Sequence, residues 1–298
     1  MIIDLNMNAY FFFLNKIIYF CSDKDLILIY KLNKFLSFYK EADTIYNIHS
    51  PFVFEFMLDV FDTSKEYYVF RQLEAERNSL ATDQKKLTIN DLGAGSKTGT
   101  SYSRTISDIS RNVVSNEKKC RMLFNHINKF QPFTMVELGT SLGIASLYMA
   151  MANKKGTLHT IEGASEVFDT ADRMFKRLQV PNIKNYKGDF DQMLSGILES
   201  LGGVDFAFID GNHSYGATMK YFEMFLPYIH TGSALVFDDI YWSEDMTKAW
   251  NEIKSRPEVC FTIDTFDLGF VYFDPLMSRK DFKVIDFWKK PFSIGLWG

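Results

Sequence analysis

The chain is short of cysteine: three in 298 residues, Cys21, Cys120 and Cys260, all far apart. No C-x-x-C pair occurs, so neither a zinc ligand set nor a disulfide framework is expected. A reducing compartment fits, and the cytoplasm is the expected location. A basic excess is missing as well. Lys and Arg number 33 against 37 Asp and Glu, a formal net charge of −4. Without a positive surface to neutralise phosphates, no nucleic-acid partner is expected. Also missing is an apolar run of bilayer length. Residues 9–20 (AYFFFLNKIIYF) are apolar, but Asn15 and Lys16 break a segment already too short to span. No small-residue cleavage site comes after it, which argues against a signal peptide. The run is expected to form a buried or interface helix, with a membrane-surface contact or a start codon placed too far upstream as alternatives. No stable membrane insertion is expected.

What is present is an ordinary globular composition, 47% hydrophobic and 23% charged. It suffices for one large α/β domain and an accessory region. Residues 1–115 read as a mostly helical N-terminal cap. Phe35, Leu36, Phe38 and Tyr39 lie near helical spacing. Ser50 and Pro51 form an N-cap and first-turn pair for a helix over residues 50–61. Another helix is expected around Lys65 to Leu80, and residues 81–87 (ATDQKKL) read as a solvated linker. No internal repeat is visible.

From residue 116 to 298 short β-rich runs alternate with helical stretches. The runs are Thr134–Leu138, Thr157–Ile161, Ile183–Lys187, Val204–Ile209, Ala234–Phe237, Val259–Asp264 and Phe270–Phe273. Strand-helix alternation predicts a Rossmann-like, doubly wound α/β fold with a mostly parallel, seven-stranded sheet. The short connection from Thr265 to Gly269 predicts a closing antiparallel hairpin.

In such sheets ligands bind at the carboxyl ends of the strands. After the first strand stands Glu137-Leu138-Gly139-Thr140-Ser141-Leu142-Gly143. Gly139 permits a sharp turn, Gly143 permits close approach to a ligand, and the helix from Ile144 offers free N–H groups. After the second strand come Glu162 and Gly163, placing an acid where ribose hydroxyls are bound. After the third come Asp189, suited to an adenine amino group, and Phe190, suited to covering the ring. After the fourth comes Asp210. Each alone has a bland reading: a tight turn, an N-cap, a turn residue. Their succession at neighbouring strand ends argues for a nucleotide-like cofactor site. A second loop, Asp91-Leu92-Gly93-Ala94-Gly95-Ser96, has an even better glycine pattern. The stretch after Ser96 is polar and carries no second strand with a terminal acid, so this loop reads as a turn of the accessory region. Lys97, Arg104 and Arg111 near it are candidates for an anionic substrate, although a solvated turn is the plainer reading.

From Val136 to Gly298 the chain resembles the class I S-adenosylmethionine (SAM)-dependent methyltransferases, and among them the catechol and caffeoyl-CoA O-methyltransferase group. Four segments carry the resemblance: the Glu137–Gly143 loop, Glu162, Phe208-Ile209-Asp210-Gly211-Asn212-His213, and Asp238-Asp239-Ile240-Tyr241-Trp242. The first half also resembles the leader of uncharacterised bacterial methyltransferases, in His49–Phe52 and Asp91–Ser96. The resemblance implies SAM as cofactor, bound by Glu137, Gly139, Thr140, Ser141, Gly143, Glu162, Gly163, Asp189, Phe190 and Asp210. It implies a divalent ion, Mg²⁺ or similar, on Asp210, Asp238 and Asp239; hard oxygen ligands suit such an ion. The chain departs from the group twice. Asp239 stands for its Asn, and His213 for its frequent catalytic Lys. His213, with Asp210, is the expected catalytic pair, His213 serving as base or ligand.

The expected activity is methyl transfer to a small-molecule hydroxyl, with Trp242, Tyr241 and Tyr215 lining the acceptor pocket. The N-terminal helices, including His49–Met57, are expected to cap the site or to form a homodimer surface. Alternatives are a metal-independent methyltransferase acting on a sugar or glycan, and a SAM-binding module without turnover. A dehydrogenase is disfavoured, since Gly139-x-x-x-Gly143 lacks the middle and last glycines of G-x-G-x-x-G.

Overall fold

In the computed structural model, residues 23–90, 101–112, 114–277 and 280–290 are described. The apolar run at 9–20, the Asp91–Ser96 loop and Lys97 lie outside them.

The N-terminal half is helical where capping and apolar spacing predict it. Helix α1 spans Asp23–Glu41 and α2 Pro51–Phe56, which runs on as a π-turn, Met57–Phe61. Ser50 caps α2, its hydroxyl accepting from the Val53 N–H at 3.5 Å. Helix α3 comes next at Tyr68–Thr82. The expected linker is a strand in its second part. β1 (Lys86–Asn90) pairs antiparallel with β2 (Ser101–Thr105), from Lys86 opposite Thr105 to Asn90 opposite Ser101. Among residues 86–89 of β1 only Leu87 is buried, with Ile89 half-buried and Lys86 and Thr88 exposed. An alternation two apolar residues long does not stand out among Lys and Thr, which is why it reads as solvated.

Two helices then lead into the α/β domain, α4 (Ile106–Asn112) and α5 (Glu117–Phe130). The Asn116 side chain caps α5 by accepting from the Lys119 N–H at 2.9 Å. One face of α5 is buried through Lys119, Met122, Leu123 and His126, at i, i+3, i+4 and i+7.

The sheet alternates as expected: β3 (Thr134–Leu138), α6 (Ile144–Ala152), β4 (Thr157–Glu162), α7 (Ser165–Arg177), β5 (Ile183–Lys187), α8 (Phe190–Leu201), β6 (Phe206–Ile209), α9 (Tyr215–Phe225), β7 (Ala234–Asp238), α10 (Glu244–Ser255), β8 (Phe261–Asp264), β9 (Leu268–Tyr272) and β10 (Lys280–Lys283). The strand order is β10-β8-β9-β7-β6-β3-β4-β5. β9 runs antiparallel to both β7 and β8, which is the expected hairpin closure. The sheet has eight strands rather than seven, because β10 adds parallel to β8. Its sequence, KDFK, holds one apolar residue, so periodicity does not reveal it.

β3 lies between β4 and β6, both parallel to it. The chain winds one way through β4 and β5 and the other way through β6 and β7. The crevice at this reversal is where such sheets take ligands. β7 is buried at every position and β3 at all but its first, as strands covered on both faces must be. The N-terminal helices share this core. The Phe56 ring meets Phe270 of β9 edge-on at 5.0 Å, and Phe52 meets Tyr272 at 5.1 Å. The segment His49–Met57 therefore packs on the sheet and does not border the crevice. His126 of α5 is fully buried there, its Nε2 3.2 Å from the Tyr272 hydroxyl. Burial pushes its pKa down to about 3, so it is a neutral core residue. Among the described residues no helix is long and apolar enough to cross a membrane.

Candidate active site

A cavity of about 740 Å³ opens at the carboxyl ends of β3, β4, β6 and β7. The structure brings ten of the sequence-expected residues to its wall: Gly139, Ser141, Glu162, Gly163, Asp189, Phe190, Asp210, His213, Asp238 and Asp239. Glu137, Thr140 and Gly143 are not on it.

The loop after β3 explains both groups. Gly139 has φ +100, and a Cβ there would run into the Asp210 carbonyl oxygen. Glycine is required because two strand ends touch at this point. Gly143 has φ +83, and a Cβ there would lie 2.6 Å from the Phe175 ring of α7. Its role is packing between loop and helix, not approach to a ligand. Glu137 lies beneath the loop, fully buried, accepting from the Thr160 hydroxyl at 2.7 Å and from Ser146. Burial pushes its pKa up to about 8, against the pull of these two donors. Thr140 and Thr160 join hydroxyls at 2.5 Å. These three residues hold the loop rather than line the cavity.

Glu162 ends β4 at the cavity edge. One oxygen accepts from the Ser141 N–H and the other from the Ala164 N–H, both at 2.8 Å. Burial raises its pKa, opposed by these backbone donors. Each carboxylate oxygen keeps a lone pair for a further donor. Ser141, at φ +48, has its Oγ buried without a partner among the described residues. Asp189 caps α8, accepting from the Asp191 N–H at 2.8 Å, and Phe190 packs over Gly211.

The neighbouring part of the wall carries the carboxylates at the ends of β6 and β7. His213 Nε2 is 3.5 Å from Asp210 Oδ1, and the Ser115 hydroxyl donates to Asp210 Oδ2 at 3.1 Å. Burial opposes the charge on Asp210, but His213 holds its pKa below the usual carboxylate range. Burial likewise opposes a charge on His213, and Asp210 overcomes it, raising the affinity of the imidazole for a proton. Asp239 sits in the left-handed region, φ +52, which turns the chain sharply and aims its carboxylate beside Asp238.

Between these two carboxylates lies Lys119 of α5. Its Nζ is 2.6 Å from Asp238 Oδ1 and 2.8 Å from Asp239 Oδ1. The lysine side chain is only 8% exposed, and Asp238 4%. Burial works against this ammonium, but Asp238 and Asp239 more than compensate and raise its pKa well above the ordinary lysine value. Asp238 is itself pushed up, by burial and by the nearby Asp210, with Lys119 pulling the other way. The arrangement does not fit the expected divalent ion. Asp238 and Asp239 point their oxygens at an ammonium, and among the described residues no group of three or more His, Cys, Asp or Glu side chains is arranged to hold a metal.

Other expectations shift as well. Tyr241 is buried, donating to Asp264 Oδ2 at 2.6 Å and stacked on Phe266, so it is not a pocket residue. Tyr215 donates to Glu252 at 2.6 Å on a separate shallow surface. Trp242 does line the cavity, with Lys31 Nζ 3.7 Å from its ring centroid. The cap over the cavity comes from Ile89, Tyr102 and Arg104 of the β-ribbon and from Asn112, Val114, Ser115, Asn116 and Lys119. Arg111 turns away, donating to the Ala81 carbonyl at 3.0 Å. Sequence reasoning missed Lys119. Its signal was a lysine on the apolar face of an amphipathic helix, which needs a buried acid as partner.

Residues 136–240 match a family model described as a methyltransferase domain. That segment is a methyltransferase domain. Its sheet has the mostly parallel, Rossmann-like order, closed by an antiparallel strand. An uncharacterised protein of Acanthamoeba polyphaga mimivirus is 34% identical over 146 residues, 44% of this chain. The chain spans 65% of that relative's length. A cofactor-bound protein from MTB has the same fold, with a TM-score of 0.50 at 14% identity, over 76% of this chain and 99% of that one. An O-methyltransferase from Bacillus cereus in complex with SAH aligns over 74% of this chain and 96% of its own, at 13% identity and a TM-score of 0.48.

Proposed function

We propose that the chain is a SAM-dependent methyltransferase acting on a hydroxyl oxygen of a small molecule. One observation carries this reading: the Gly139 loop and Glu162 line a single cavity together with the Asp210–His213 pair. The cofactor side fits SAM, because Ser141 has a buried, unpartnered hydroxyl beside a carboxylate with lone pairs to spare.

When bound, SAM supplies an electrophilic methyl group on a sulfonium. The chain's own residues bind and orient. Glu162 accepts from the ribose hydroxyls, while Asp189 and Phe190 hold the adenine. His213 takes the acceptor's hydroxyl proton, and Asp210 keeps the imidazole oriented and stabilises its charged form. Alignment of acceptor and methyl within the cavity supplies the remaining rate enhancement. No step is routed through a divalent ion. The acidic balance of the chain, −4 overall, supports a small-molecule acceptor over nucleic acid, and three widely spaced cysteines support a reducing compartment such as the cytoplasm. The homodimer remains part of the proposal through the exposed apolar residues of α1, Leu28, Leu32 and Leu36.

The test is methyl transfer from isotope-labelled SAM to a panel of phenols, catechols and sugars, beside a SAM titration. Turnover on a hydroxyl acceptor is expected. SAM binding with no turnover on any acceptor would instead make the chain a binding module.

A further inference from the structure

Three strand-end carboxylates, Asp210, Asp238 and Asp239, converge on one wall of the cavity. Crowded carboxylates need a cation, or one of them must keep its proton. The cation is already there, and it belongs to the chain. Lys119 reaches in from the first turn of α5 and sets its Nζ against Asp238 and Asp239 at 2.6 and 2.8 Å. The backbone holds it in place: the Lys119 N–H is fixed by the Asn116 cap at 2.9 Å, and Cys120 and Leu123 beside it are wholly buried. An ammonium has three N–H donors. One N–H donates to Asp239 Oδ1, the ammonium lies in ion-pair contact with Asp238 Oδ1, and Lys119 itself lines the cavity, so a donor remains for a molecule inside it.

We propose that Lys119 is the resident cation of this site: it occupies the seat of a divalent ion between Asp238 and Asp239 and presents its remaining N–H to the acceptor oxygen. The contact with the acceptor rests on the methyl-transfer reading; the occupation of the cation seat does not. Lysine suits the task differently from a metal. It is a compact charge with rotatable donors, it offsets one unit of the negative charge that Asp238 and Asp239 share, and it stabilises an oxygen as negative charge builds there. Unlike a bound ion, it cannot be removed by a chelator.

The experiment titrates Mn²⁺ into the full chain without methyl donor and monitors the free Mn²⁺ signal by electron paramagnetic resonance. Wild type is expected to leave the signal unchanged. Lys119→Met, a neutral chain of similar length, is expected to deplete it by one ion per chain, and Asp239→Asn added to that variant is expected to restore it. Lys119→Arg, which keeps a cation, is expected to behave as wild type. Stoichiometric Mn²⁺ binding by wild type that is lost on Asp238→Asn would overturn the proposal. A folded Lys119→Met chain, confirmed by an unchanged circular dichroism spectrum, that still leaves Mn²⁺ free would overturn it too. Should Lys119→Met not fold, the wild-type arm alone decides. Because no arm involves SAM or turnover, a failed methyl-transfer assay and a failed cation assignment are told apart.

Discussion

The two walls of the cavity satisfy their carboxylates in different ways. On the cofactor side, Glu162 is held by backbone N–H groups, that of Ala164 two residues on and that of Ser141 in the loop after the adjacent strand β3. On the acceptor side, Asp238 and Asp239 are held by Lys119, which lies about 120 residues earlier in the chain. Backbone amides are fixed dipoles that still let a ligand hydroxyl donate to the same carboxylate. A lysine supplies a full charge and fills the space an ion would take. On the proposed function, one wall receives the cofactor and the other keeps its own cation.

The largest expected effect strikes the second wall. Lys119→Met leaves Asp238 and Asp239 facing each other without a cation, and breaking a buried pair in this way costs about 3–5 kcal/mol of stability. A drop of that size in denaturant unfolding, with methyl transfer lost, is expected. A change within experimental error would show that the two walls do not differ as described.

On the first wall, Gly139→Val places a branched side chain against the Asp210 carbonyl at φ +100. Backbone strain of about 1–3 kcal/mol and a similar clash cost together imply SAM binding weaker by roughly 30-fold or more. Titration calorimetry reads it directly. Unaltered affinity would mean that the loop does not shape the cofactor site.

Much of the first wall is legible in the sequence because it is local. Gly139, Glu162 and Asp189 stand immediately after strands that alternate visibly with helices, and strand ends are where ligands bind in this architecture. The parallel strands and the closing hairpin are legible for the same reason. The second wall is legible only in part. Asp210, Asp238 and Asp239 are readable at their strand ends, but their partner is not, since nothing in the spacing of Lys119 tells which acid it meets. Tyr241 illustrates the same limit: beside Trp242 in sequence, it turns inward to Asp264 while Trp242 faces the cavity. The strands β1 and β10 were missed because each offers too few apolar residues to show a period of two.

A smaller effect is expected from Glu162→Gln. The amide keeps an acceptor for one backbone N–H and loses the charge that strengthens bonds to ribose hydroxyls. Hydrogen bonds to charged groups contribute about 1.5–3 kcal/mol, so SAM affinity should fall roughly 10- to 100-fold with little loss of fold. A Glu162→Gln chain that binds SAM as wild type does would remove this residue from the site.

The smallest effect lies beneath the loop. Glu137 has a pKa of about 8 when folded, raised by burial from an ordinary value of 4.5. The unfolded chain releases this proton at lower pH than the folded chain does. Its contribution is therefore fully present below about pH 4.5 and is lost as pH rises through about 8. Glu137→Gln keeps an acceptor for Ser146 and Thr160 and should flatten this part of the stability profile. Denaturant midpoints measured from pH 5 to 9 (roughly the span between the two pKa values) show whether it does; an unchanged slope would place the proton elsewhere.

The central claim is that the Gly139 loop and Glu162 form a SAM site on a domain that transfers methyl groups. Calorimetric titration of SAM, and separately of NAD, into the full chain tests it most directly. Saturable binding of SAM to a single site is expected, weakened in Glu162→Gln and absent for NAD. Binding of NAD in place of SAM, or SAM affinity indifferent to Glu162, would contradict it.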